Sequence, residues 1–295
     1  MFSKALLALV GAAAVSTRAA PAPITDTSVL QYALTLEHVE NAFYSGALAK
    51  FDAAAFEKDG FEPWVRGRYA QIAEHEADHV AFLTSALGSS APAACEYSFP
   101  YTDPKSFTAL SMAIEGVGSA AYLGAARFLT DKDTLATSAS ILAVESRQAG
   151  WISSAVQKAQ PWDGDFETPL GFSGAFSLAS SFIVKCPDTN PPLPVDTFPA
   201  LTVTPSTSLA AGSTVDLTFD NPNNTTPLFA AWYTGLQAIF TDVTSANTTT
   251  VPANLNGTVY VGVVSNKQTG PTNDTGYVTG LAIVQFPFPS SVQNA

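Results

Sequence analysis

The sequence predicts a multidomain α and β protein, a four-helix bundle followed by a small β-sandwich. Three observations carry this. Residues 24–62, 64–91 and 105–160 contain no proline, whereas fourteen of the 20 prolines follow residue 160. Ala, Leu, Glu and Gln dominate the first half, and Thr, Asn, Val and Pro dominate the last third, which is the contrast between long helices and short strands with turns. Four stretches of the first half also place apolar residues at alternating steps of three and four, the period of a helix with one buried face. A chain of 295 residues can bury a sizeable core in each of two domains.

The segments follow in order. Residues 1–19 read as a secretory signal: Lys4 supplies a positive start, Ala5 to Val15 an apolar run too short to span a bilayer, and Thr17-Arg18-Ala19 a cleavage site. The bundle is expected over 26–186. Its first helix runs from Asp26, as N-cap, to about Phe51. The second runs from about Pro63 to Leu87, with Gly88 as its stop. The third opens on Asp103-Pro104, a cap followed by proline at the first helical position, and reaches about Thr130. The fourth runs from Asp131 or Asp133 to about Ala159 and ends before Pro161, and a shorter helix is expected near Ser173 to Ile183. Residues 187–198, with Pro191-Pro192-Leu193-Pro194, form a proline-rich linker. Within 199–290, residues 201–204, 215–219, 259–264 and 282–286 read as strands, suggesting a sandwich of the immunoglobulin-like kind. It holds no cysteine, histidine or acidic cluster, so a binding or spacer role is expected of it.

Charge narrows the partners. The formal net charge is -12 and the 13 Lys and Arg form no basic run, which argues against nucleic acid and anionic membrane surfaces. No segment has the length of apolar residues that a membrane span requires. Cys95 and Cys186 are the only cysteines. In an oxidising compartment they are most simply one disulfide, the alternative being two buried thiols. Five glycosylation sequons, at Asn223, Asn224, Asn247, Asn256 and Asn273, fit the same secreted, extracellular or cell-wall setting.

The chemistry lies in the apolar stripes of the four long helices. Leu30, Leu34, Glu37, Asn41, Tyr44 and Leu48 share one stripe. So do Ile72, Glu76, His79 and Leu83; Ser111, Glu115, Gly118, Tyr122 and Ala126; and Ile141, Glu145, Gln148, Ile152 and Val156. Each stripe therefore carries a carboxylate near its middle. Four carboxylates in one core layer repel one another and lose their hydration, a cost that bound cations remove. Four glutamates and two divalent ions balance in charge, with His79 as a neutral nitrogen ligand. The order is Glu, Glu-x-x-His, Glu, Glu-x-x-Gln, and an i, i+3 pair presents both side chains to one ion. Tyr44 and Tyr122 each follow a glutamate by seven residues. They read as core aromatics or as partners of a metal-bound carboxylate.

The segments Leu36 to Tyr44, Ile72 to His79, Ile114 to Tyr122 and Ile141 to Gln148 together resemble the ferritin-like superfamily. The likeness is to secreted fungal proteins of the late sexual development and desiccation- or stress-response type. It covers residues 27–184. The resemblance implies a ferritin-like bundle with a di-metal centre of iron or manganese, one or two ions, and redox chemistry with dioxygen or peroxide. One departure stands out: Gln148 occupies the place where the fourth helix of that superfamily usually has histidine, and an amide oxygen is a weaker ligand.

Other residues are expected to play lesser parts. His38 and His75 read as surface or supporting groups, and Glu40 and Glu74 as solvated helix faces, although Glu40 stands only three residues from Glu37 and could serve with it. Two functions follow. One is a metalloprotein of the oxidase, peroxidase or catalase-like kind. The other is a stress or cell-surface structural protein on a degenerate bundle, whose β-domain contacts wall material or another protein. A cage-forming iron store fits less well, because the appended β-domain hinders shell packing.

Overall fold

The computed structural model of the chain describes residues 23–206 and 209–292, so the expected signal segment lies outside the described residues. Four long helices form the bundle: α1 (Asp26–Lys50), α3 (Val65–Leu87), α4 (Pro104–Ala125) and α5 (Lys132–Trp151), with the short α2 (Ala53–Lys58) between the first two. Their ends follow local chemistry. Thr25, not Asp26, is the N-cap of α1: its hydroxyl accepts from the Ser28 N–H and Ser28 reciprocates, which leaves Asp26 in the first turn. Asp103 caps α4 through Ser106 N–H with Pro104 at the first turn, and Asp131 caps α5 through Thr134 N–H. The unexpected α2 begins where Asp52 accepts from Ala55 N–H. The third helix ends at Ala125, sooner than expected, and closes in a 3₁₀ turn. The fourth passes into a π-helical turn, Ile152–Val156. Among the described residues no helix is long and apolar enough to cross a membrane.

In the bundle α1 packs along α3, and α4 along α5, while α4 also meets α1 and α6 (Phe172–Ala179). One end of the core is aromatic. Phe43 stacks on Phe107 with ring centroids 5.0 Å apart, and Tyr69 meets Phe107 edge-on at 4.8 Å. A two-stranded sheet of β1 (Glu96–Tyr97) and β2 (Ile183–Lys185) brings Cys95 beside Cys186, and a disulfide joins them.

The rest of the chain is antiparallel sheet. One sheet has the order β3-β4-β7 (Thr202–Pro205, Thr214–Thr218, Thr248–Thr250). The other has the order β6-β5-β8-β9 (Gln237–Asp242, Phe229–Thr234, Gly257–Val264, Tyr277–Phe286). Strands β5 to β7 were not among the expected ones. Trp232, Val215, Leu217, Val259, Val261 and Val263 fill the core between the two sheets. The other face of the larger sheet is largely covered by the bundle. Ala231, Tyr233, Tyr260 and Leu281 share a hydrophobic core with Ala120 and Ala121 of α4 and Leu178 of α6. Strand β8 is consequently buried along all eight residues, which explains its unbroken apolar run. Polar ties seal the junction. Tyr260 donates to the Gly116 carbonyl at 2.9 Å, and Asp274 accepts from Ser173 N–H at 2.9 Å at the N-terminal end of α6.

Candidate metal centre

Each bundle helix delivers an acid to one interior region. Glu37 of α1, Glu76 of α3, Glu115 of α4 and Glu145 of α5 are all fully buried. Glu37, Glu76, His79 and Glu145 each offer one ligand atom, and these atoms lie within 4.8 Å of one another. His79 sits among the carboxylates. Its Nδ1 is 3.2 Å from Glu37 Oε2, 3.2 Å from Glu76 Oε2 and 3.4 Å from Glu145 Oε1. It is also the most accessible member, with its side chain 13% exposed on the α3 side.

Glu115 stands beside this group and accepts the Tyr44 hydroxyl. Tyr122 does the same for Glu37, its hydroxyl 2.5 Å from Oε1. The two tyrosines thus cross the bundle in opposite directions between α1 and α4, each fixing the carboxylate of the facing helix. Gln148 is buried with its Nε2 donating to Glu76 Oε1 at 2.9 Å and lying 3.3 Å from His75 Nδ1. His75 is exposed, and His38 is half-buried with Nε2 3.1 Å from the Pro92 carbonyl.

Glu40 corrects the sequence reading. Glu74 is exposed, as expected of a solvated face, but Glu40 is buried. The reason is that α1 is covered by α6 as well as by α3 and α4, so a second stripe of α1, with Leu36 and Val39, also turns inward. Gly118 accommodates the carboxylate: a Cβ there would overlap Glu40 Oε1 and press on Glu145 Oε2 at 2.9 Å. The signal was present in the three-residue step from Glu37 and in a glycine within the α4 stripe.

The electrostatics match the crowding. Burial, followed by the charges of neighbouring glutamates, raises Glu40, Glu115 and Glu145 well above the ordinary carboxylate range. Burial also raises Glu76, against the opposing hydrogen bond of His79. For His79, burial pulls downward, but Glu145, Glu37 and Glu76 outweigh it and push the imidazole up to about 12. No lysine or arginine is among the buried residues described. Glu40 Oε2, Glu115 Oε2, both Glu145 oxygens and Gln148 Oε1 are buried without a hydrogen-bond partner. Unpartnered buried oxygens at this density are costly. Carboxylate oxygens with one imidazole are a donor set that suits divalent transition metals. The residues therefore fit a metal ion.

Comparison with known proteins agrees with this geometry. Residues 25–158 match the ferritin-like domain family. Residues 25–158 are thus similar to a ferritin-like domain, and the buried carboxylate and histidine group there could hold a metal ion. The chain is similar to Protein rds1 of Schizosaccharomyces pombe (strain 972 / ATCC 24843), with 31% identity over 179 residues. That stretch is 60% of this chain and 44% of the fission-yeast protein, so the chain matches less than half of that relative's length.

Proposed function

We propose that this is a secreted ferritin-like protein whose bundle holds one or two iron or manganese ions and handles dioxygen or peroxide during development or stress. The observation that carries the reading is the convergence of Glu37, Glu76, His79 and Glu145 from three helices, with Glu115 of the fourth beside them. Glu37, Glu76, His79 and Glu145 would hold the metal, with Glu115 beside them and Gln148 holding Glu76 in place. A bound redox-active ion would supply electron transfer to a small oxidant. Tyr44 and Tyr122 orient the carboxylates, and the Phe43, Tyr69 and Phe107 layer keeps water from one end of the site. Small molecules would enter from the α3 side, where His79 is partly exposed.

Export is supported by the Cys95–Cys186 disulfide and by the exposure of all five sequon asparagines, Asn223, Asn224, Asn247, Asn256 and Asn273. The strand-rich region, with three strands in one sheet and four in the other, would be an immunoglobulin-like sandwich that contacts wall material or another protein.

Metal analysis of purified full-length protein reloaded with iron or manganese tests the proposal. We expect at least one tightly held equivalent and metal-dependent peroxide turnover, both lost in Glu76→Ala. Less than about half an equivalent of any transition metal, with a melting temperature indifferent to chelator, would overturn it. A second reading, a structural scaffold without turnover, draws on Gln148 standing where histidine is expected. Metal binding without turnover would favour it.

A further inference from the structure

We infer that Glu40 completes a second cation position with Glu115 and Glu145, doing from α1 what a histidine at position 148 would otherwise do from α5. This rests on the metal-binding reading above and deepens it.

Gln148 turns its amide nitrogen onto Glu76, so it can offer a cation only its neutral amide oxygen, which is buried and unpartnered and a weaker ligand than a carboxylate. Glu40 offers a carboxylate instead. It is 3% exposed, and its Oε2 has no hydrogen-bond partner. Glu115 Oε2 and both Glu145 oxygens are likewise buried and unpartnered. Three helices thus present buried carboxylate oxygens without a hydrogen bond, the His79 imidazole standing 3.4 Å from Glu145 Oε1. On its other side Glu40 borders a narrow apolar cavity lined by Leu36, Val39, Leu110, Leu178 and Ile283, which offers neither donor nor acceptor. Even a protonated Glu40 would leave a polar oxygen bare there, whereas a cation shared with Glu145 satisfies both. The glycine at 118 is what lets the two carboxylates approach, since any side chain would fill the space between them.

The charge count follows. Glu37, Glu40, Glu76, Glu115 and Glu145 carry five negative charges, one more than two divalent ions neutralise. A fifth carboxylate therefore favours a pair of ions in which one can rise to the trivalent state, as iron and manganese can and zinc or calcium cannot.

The test uses full-length protein stripped of metal, reloaded with Mn(II) alone and desalted. Bound equivalents are measured by elemental analysis and the pairing of ions by electron paramagnetic resonance. Wild type should retain two equivalents with an exchange-coupled spectrum. Glu40→Gln, a near-isosteric change that removes a buried charge, should retain one equivalent with a single-ion spectrum. Gly118→Ala, which favours helix by propensity but sets a Cβ against the Glu40 and Glu145 carboxylates, should lose the same equivalent while circular dichroism and its melting curve show it folded. Two coupled equivalents in Glu40→Gln would overturn the inference. One equivalent in both wild type and Glu40→Gln would overturn it while leaving the first metal position intact. No retained metal in wild type would overturn the underlying reading as well.

Discussion

The two interiors of this molecule solve the same problem with different materials. Between the β-sheets the core is apolar, and its one large polar group, the Trp232 indole, donates to Thr241 at 2.9 Å. Within the bundle five carboxylates lie buried in the middle of an otherwise apolar core. The chain can evidently build a satisfied dry core, so acids in the other interior are there for something that apolar packing cannot supply. Stability in the β region should come from burial alone. Stability in the bundle should depend on what is bound to the acids, and on pH.

The largest expected effect sharpens that division from the apolar side. Trp232→Ala should cost about 3–5 kcal/mol through the cavity it leaves, read by denaturant unfolding, while the folded fraction keeps its full complement of metal. Loss of metal in parallel with stability would mean that the two interiors are not separable.

Chelation should come next. If ligand stands at about 100 times its dissociation constant, removing it costs roughly 2.7 kcal/mol. The sign of the pH dependence should then reverse. In metal-free protein the raised carboxyls of Glu40, Glu115 and Glu145 bind more protons folded than unfolded. Their stabilising contribution is complete below the ordinary carboxylate pKa and fades as pH climbs toward the folded values. His79, pushed up to about 12, acts in the same direction above its ordinary value. Metal-free protein should thus melt lower at about pH 8 than at about pH 5. Loaded protein should show the opposite trend, because binding displaces protons from the ligands. Melting curves at the two pH values, with and without Mn(II), decide it; parallel trends would sink the idea that these acids are held by cations.

Tyr122→Phe is a smaller test within the bundle. It removes the hydroxyl from Glu37 Oε1, leaving that buried oxygen without its donor. A loss of about 1–3 kcal/mol is expected, and an outer-sphere partner of this kind is worth about 10-fold or more in metal affinity. Unchanged affinity in a Mn(II) titration would place Glu37 outside the ligand set.

Much of this comparison could be read before any coordinates. Glu37, Glu76, Glu115 and Glu145 fall on the buried stripes because a helix period is rigid, and four mid-length acids on four helices leave few alternatives. Glu40 was misread because a sequence stripe assumes one covered face, and α1 has a second, covered by α6 from a distant part of the chain. The role of Gln148 was out of reach for a different reason. Which way an amide turns depends on neighbours, here Glu76 and His75, that only the folded bundle brings together. In the β region, β5 and β6 escaped notice although Gly235 and Leu236 form a two-residue connection between them, with Gly235 at φ 53°. Ala and Gln in those strands weakened the alternation on which strand reading depends.

The smallest effect separates folding energy from site geometry. Asp103 closes the N-terminus of α4 by accepting from Ser106 N–H at 2.7 Å, in a capping box that ends the loop from β1. Asp103→Ala should cost about 1 kcal/mol and lower the melting temperature by about 2–4 °C. Glu115 and Gly118 lie three turns or more along the same helix, where fraying of the first turn does not reach, and Tyr44 and Tyr260 hold that stretch independently. Metal stoichiometry should therefore stay at the wild-type value. A drop in bound metal without unfolding would show that α4 transmits strain from its cap to the acids, and that the site is tuned by helix ends as well as by its own side chains.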